Sequence, residues 1–177
     1  SLEEVLERIK RIIDELKREA KRVLDETNTL IREVKKRLED VNRDVNRLIE
    51  ELRERVTDTE ELKRVIERLR REDEKSKREI EREVETLKKR DDEVRKKLDD
   101  VAKKLRDDLK EAAERNVPED MVRDLERRIR EVVKRLKEDL ERWKKEVEDE
   151  IKRLEDRLKE WLDRVREMLE KLREEDR

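Results

Sequence analysis

Cysteine, glycine, histidine, phenylalanine and tyrosine are all missing from this chain, and Pro118 is its one proline. Each absence closes off a class of chemistry. Without cysteine there is no disulfide, no thiolate nucleophile and no redox inference. Without histidine there is no imidazole base. Without glycine there is no phosphate-cradling loop and no flexible linker, although ordinary domains carry about 7% glycine and 5% proline. No apolar run approaches the ~18 residues of a membrane span, and nothing at the start reads as a signal peptide. Ser1 itself reads as the remnant of a cleaved tag.

What is present is charge. Asp, Glu, Lys and Arg make up 62% of the 177 residues, against 31% hydrophobic, yet the formal net charge is only −2. Such a composition suggests disorder when its apolar residues are scattered. Here they are periodic. The last third runs Val122, Leu125, Ile129, Val133, Leu136, and then, 18 residues further on, Leu140, Trp143, Val147, Ile151, Leu154. A second shift of 18 reads Leu158, Trp161, Val165, Leu169, Leu172. The same ladder runs through the first third (Val5, Ile9, Ile13, Leu16 onward) and the middle third (Leu62, Ile66, Leu69 onward). Five steps in 18 residues is about 3.6 per step, the period of a straight α-helix. A heptad seam would force a left-handed supercoil and an 11-residue repeat a right-handed one.

Two breaks divide the ladder. Around Thr57-Asp58-Thr59-Glu60-Glu61, Thr57 with Glu60 or Asp58 with Glu61 can form a capping box. At Asn116-Val117-Pro118-Glu119, Asn116 reads as an N-cap, with Pro118 in the first turn and Glu119 at N3. The expectation is one all-α domain over 1–177, a single-chain antiparallel up-down-up three-helix bundle. Its long straight helices cover about 2–56, 59–115 and 117–175, each about 80 Å long. Facing core positions total 114 in residue number across the first turn (Leu52 with Leu62, Val34 with Ile80) and 234 across the second (Leu98 with Leu136, Ile80 with Leu154). One residue per helix per layer is the register of a three-helix core. On the polar face, acid-then-base pairs at i,i+4 such as Glu4–Arg8, Glu131–Arg135 and Glu138–Arg142 are worth only ~0.2–0.5 kcal/mol each.

The ladder is interrupted by polar residues, which form the candidate site. Asp73 falls in the layer of Trp161, and Asp91 in that of Trp143, one 18-residue repeat apart. A buried indole N–H needs an acceptor and a buried carboxylate needs donors, so each tryptophan is expected to donate to its aspartate. Lys77 and Arg95, four residues after the aspartates, are expected to supply further donors, and Asn42 a third in the Asp73 layer. Thr27 and Ser76 also take core positions, where their hydroxyls can bond the preceding turn. Asn28 and Thr86 total 114 and are expected to extend the Asp91 cluster across the first two helices. A slip of one layer would set a carboxylate among aliphatic side chains, so the expected role of this polar core is structural.

Catalysis finds no footing in this pattern. Asp73 and Asp91 lie about 27 Å apart along a helix axis, and the pairs Asp99-Asp100 and Asp107-Asp108 diverge around one. The basic runs Lys88-Lys89-Arg90 and Arg95-Lys96-Lys97 are each followed closely by acids and have no interleaved aromatics, unlike a nucleic-acid face. No catalytic, cofactor-binding or metal residue is expected. The reading is a soluble monomer without cofactor, nucleic-acid or membrane partner, in the cytoplasm of any host that expresses it.

The 18-residue repeat, three ladders in step, the absence of glycine and a Glu/Lys/Arg/Asp surface resemble de novo designed three-helix bundles. The similarity is to the parametrically generated, untwisted kind that sometimes carries buried polar networks, and it covers the whole chain. Spectrin-type repeats also have three helices, but they follow heptads. The resemblance implies a hyperstable structural scaffold with no natural biochemical activity. The alternative is a helical binding module, either a designed partner-binding rod or a lipid-surface binder.

Overall fold

The computed structural model describes residues 1–57 and 59–175, the Thr59 side chain apart. It is an all-α three-helix bundle: α1 (Leu2–Arg55), α2 (Thr59–Glu114) and α3 (Glu119–Glu175), with no strand among the described residues. The expected Asp58–Glu61 capping box lies outside the described residues, since Asp58 does.

Contacts divide the chain into two compact units, each with a segment of all three helices. Unit 1 is Ser1–Thr29 with Lys89–Glu148, and unit 2 is Leu30–Lys88 with Asp149–Arg177. In unit 1, α1 buries Val5, Ile9, Ile13, Leu16 and Val23, α2 buries Leu98 and Ala102, and α3 buries Val122, Ile129, Val133, Leu140 and Val147. In unit 2 the core is Ile31, Val34, Leu38, Val45 and Ile49 from α1, Leu62, Ile66, Leu69 and Ile80 from α2, and Ile151, Leu154, Leu158 and Val165 from α3. These are the ladder positions. Burying each large aliphatic side chain contributes ~1.5–3 kcal/mol before the entropy of ordering it is subtracted. The ladder is weaker toward the end of α2, where Leu105, Leu109 and Ala112 are only half-buried. That end has the small Ala112 and Ala113, and no basic residue in its last turn to favour the helix dipole.

The α2–α3 turn differs from the expectation. Asn116 does not cap α3; it ends α2. Its φ is 49°, its N–H donates to Ala113 O at 3.4 Å, and the Val117 N–H donates to Ala112 O at 3.3 Å. This is the Schellman pattern, which needs a left-handed residue after the helix. Glycine usually fills that place. In a chain with none, asparagine is the residue that tolerates it best. Pro118 accordingly precedes α3, and its carbonyl accepts the N–H groups of Met121 (3.0 Å) and Val122 (3.2 Å).

Surface pairing also departs from the simple i,i+4 scheme. Arg8 pairs with Glu126 on α3 instead of Glu4, and Arg142 with Asp139 instead of Glu138. Within unit 1, Arg106–Asp14 (2.7 Å) links α2 to α1 and Lys144–Glu26 (2.9 Å) links α3 to α1. Within unit 2, Arg157 on α3 holds Glu83 (2.6 Å) and Glu79 (3.3 Å) on α2. Exposed pairs like these contribute little, because water and salt screen them.

Candidate functional site

Two aspartates and two tryptophans occupy core positions, as their register requires: Asp73, Asp91, Trp143 and Trp161 are all at least nine-tenths buried. The two levels are nevertheless built differently.

At the unit 1 level, Asp91 is well supplied with donors. Trp143 Nε1 donates to Asp91 Oδ1 at 3.4 Å, the bond expected from register. The Thr27 hydroxyl, fully buried on α1, makes a short hydrogen bond to the same oxygen. It also lies 2.9 Å from Leu24 O, the expected bond to its own preceding turn. A hydroxyl has one proton, so Thr27 shares it between the two acceptors. Arg95 reaches Asp91 Oδ2 at 3.8 Å while holding Asp25 at 3.5 Å. Arg90 lies over the Trp143 ring, 4.6 Å from its centre, and pairs with Glu146 at 3.1 Å. Three helices thus converge on one carboxylate, and every group in the cluster serves another group of the protein.

At the unit 2 level the expected bond is not made. Asp73 Oδ1 and Trp161 Nε1 are both buried without a hydrogen-bond partner among the described residues. The repeat explains why no other donor takes the place of the indole. Eighteen residues after Thr27, α1 carries Val45, which has no donor to offer. Eighteen residues before Arg95, α2 carries Lys77, which acts on Asp73 through its charge and not through a contact. Asn42 is half-buried and does not supply the expected donor. Burial in this apolar setting pushes the Asp73 carboxyl up to about 6, Lys77 and Arg70 opposing the rise and Glu74 adding to it.

Three further expectations need correction. Ser76 is half-buried and does not make the hydroxyl bond to its preceding turn that Thr27 makes. Thr86 is exposed and donates to Arg82 O of its own helix at 2.9 Å, so it adds nothing to the buried cluster. Asn28, half-buried in unit 1, makes no hydrogen bond to Asp91 either.

Glu126 was not expected in the core, because it lies beside the ladder position Leu125 and not on it. It is 7% exposed. Arg8 grips both its oxygens, at 3.2 and 3.4 Å, and Arg130 reaches one at 2.9 Å. The Arg8 hydrogen bond, helped by Arg130, holds its carboxyl below the usual range despite burial. The sequence signal was faint: a glutamate with arginine four residues later, like many others in this chain.

No family model, curated protein or solved structure matches the chain. Its chemistry therefore rests on the geometry alone. Among the described residues no group of three or more acids could hold a metal ion. Nor, among the described residues, is any helix long and apolar enough to cross a membrane.

Proposed function

We propose that this chain is a de novo designed, untwisted three-helix bundle that serves as a structural scaffold and catalyses nothing. The observation that carries the reading is where the apolar surface goes. Most ladder residues are buried, each within the unit that holds its segment of helix, and the exposed large hydrophobics among the described residues are Met121 and Val132 alone. A lipid-surface binder needs a broad apolar face left for the bilayer, and two separated side chains do not make one. The polar groups support the same reading. Asp91, Thr27, Trp143 and Arg95 satisfy one another, whereas a catalytic carboxylate would face a space for substrate.

Cosedimentation with vesicles of neutral and of anionic lipid tests the proposal, together with molar mass from light scattering. A scaffold stays in the supernatant with both lipids and has the mass of one 22.0 kDa chain. Retention on either vesicle favours the lipid-binding alternative and removes the proposal.

A further inference from the structure

Unit 2 holds two buried polar atoms at one level of its register, Asp73 Oδ1 on α2 and Trp161 Nε1 on α3, and neither has a partner. Asp73 is 7% exposed and Trp161 4%. The unit 1 level built on the same 18-residue repeat supplies a hydroxyl, an indole and a guanidinium to its carboxylate. From this contrast we infer that the Asp73 level is a pH-governed opening point in unit 2. Ionised, the carboxylate has no donor for Oδ1 within the closed packing, and that oxygen gains water only when this stretch of α2 opens. Protonated, it is tolerated, and the stretch stays closed.

The charges around Asp73 leave this logic intact. On α2, Lys77 and Arg70 favour the ionised form and Glu74 opposes it, and desolvation outweighs all three. By register α1 brings Val41, Asn42 and Val45 to this level, none of them charged, and the flanking Asp44 pairs with Arg47 at 3.4 Å. By register α3 brings Leu158, Trp161 and Val165. Its flanking Arg157 is committed to Glu79 and Glu83, and Glu160 and Arg164 line the neighbouring groove with Glu72 and Lys75. No charge on α1 or α3 is among those acting on Asp73.

The sign follows from linkage. The closed state holds the Asp73 proton up to about pH 6, and an opened carboxyl releases it near its ordinary 3.8. Between those values the closed state binds more protons, so rising pH favours opening, and the effect levels off above the higher value. From pH 4.5 to 7.5 the opening equilibrium should rise roughly twentyfold.

Residue-resolved amide hydrogen exchange on the full chain, corrected for intrinsic exchange rates, measures this directly. Amides of α2 near Asp73 should lose about twentyfold protection over that range, relative to amides near Asp91. In Asp73→Asn the difference should vanish. In Val45→Thr, which restores the hydroxyl that Thr27 provides in unit 1, it should shrink. Equal pH dependence at the two levels, or a full dependence surviving in Asp73→Asn, would overturn the inference. A full dependence surviving in Val45→Thr would overturn it too, by removing the missing donor as its cause. That variant also keeps the test open if Asp73→Asn fails to fold.

Discussion

The Thr27 hydroxyl on α1 is bonded to the Asp91 carboxylate on α2, and the residue 18 positions after Thr27 is Val45. The hydroxyl is one of three donors that Asp91 has and Asp73 lacks, beside the Trp143 indole and the Arg95 guanidinium. Buried polar clusters stabilise only when every member finds a partner.

Thr27→Val should destabilise the protein by about 1–3 kcal/mol. It leaves Asp91 Oδ1 with the long Trp143 bond alone, while the lost volume is small. Denaturant melts at pH 7 would record it as a lower midpoint at unchanged m-value. A neutral substitution would show that the Thr27 bond contributes nothing net.

Asp73→Leu should do the opposite at pH 7 and stabilise by on the order of 1–2 kcal/mol, because it removes an ionised carboxylate whose Oδ1 is buried without a donor. The gain should fade as pH falls below about 6, where the wild-type side chain takes up its proton. A gain that is the same at pH 4.5 and 7.5 would count against this account.

Double-mutant cycles to Leu should separate the two levels. Asp91 and Trp143 should couple by about 1 kcal/mol, through the indole bond. Asp73 and Trp161, which share no hydrogen bond, should couple less. Stronger coupling at the second pair would mean that the indole reaches its aspartate in solution.

Glu126 gives an acid-side effect. Its carboxyl is held low by Arg8 and then Arg130, so its contribution is present above the ordinary value of 4.5 and is lost as pH falls through the lowered one. Arg8 is half-exposed, so solvent and salt screen the pair. Glu126→Gln should therefore destabilise at pH 7, less in high salt, and progressively less as pH falls through the lowered value. A cost unchanged between pH 7 and 2 would place it in packing and not in charge.

Asn116→Gly should be neutral or slightly stabilising, and Asn116→Val should cost about 1–2 kcal/mol, since valine pays the full left-handed penalty at φ 49°. Equal melting points for the two variants would remove the strain argument. For the parent chain, the proposed scaffold should unfold above roughly 90 °C, and a cooperative transition below ~70 °C would place it among ordinary mesophile domains.

Amino-acid order alone determined the three helices, their breaks near residues 57 and 116, and most of the core positions, though not Glu126. Periodicity of 3.6 sets which face of a helix is apolar, and burying that face dominates the energetics. Asp73, Asp91, Trp143 and Trp161 were legible as core for the same reason. The contrast between Thr27 and Val45 was also present in the sequence, but it has meaning only once the reach of a γ-hydroxyl across the layer is known. Register places backbones to within a layer, whereas a hydrogen bond is decided within a few tenths of an ångström by side-chain torsions. Tertiary structure therefore decided that Trp143 meets its aspartate and that the indole of Trp161 stays unpaired. It also turned Arg8 from Glu4 to Glu126, because a long, flexible guanidinium stem can choose among several acids of similar energy. Asn116 was decided by backbone geometry: the close of α2 required a left-handed residue, and with no glycine in the chain the asparagine took that place.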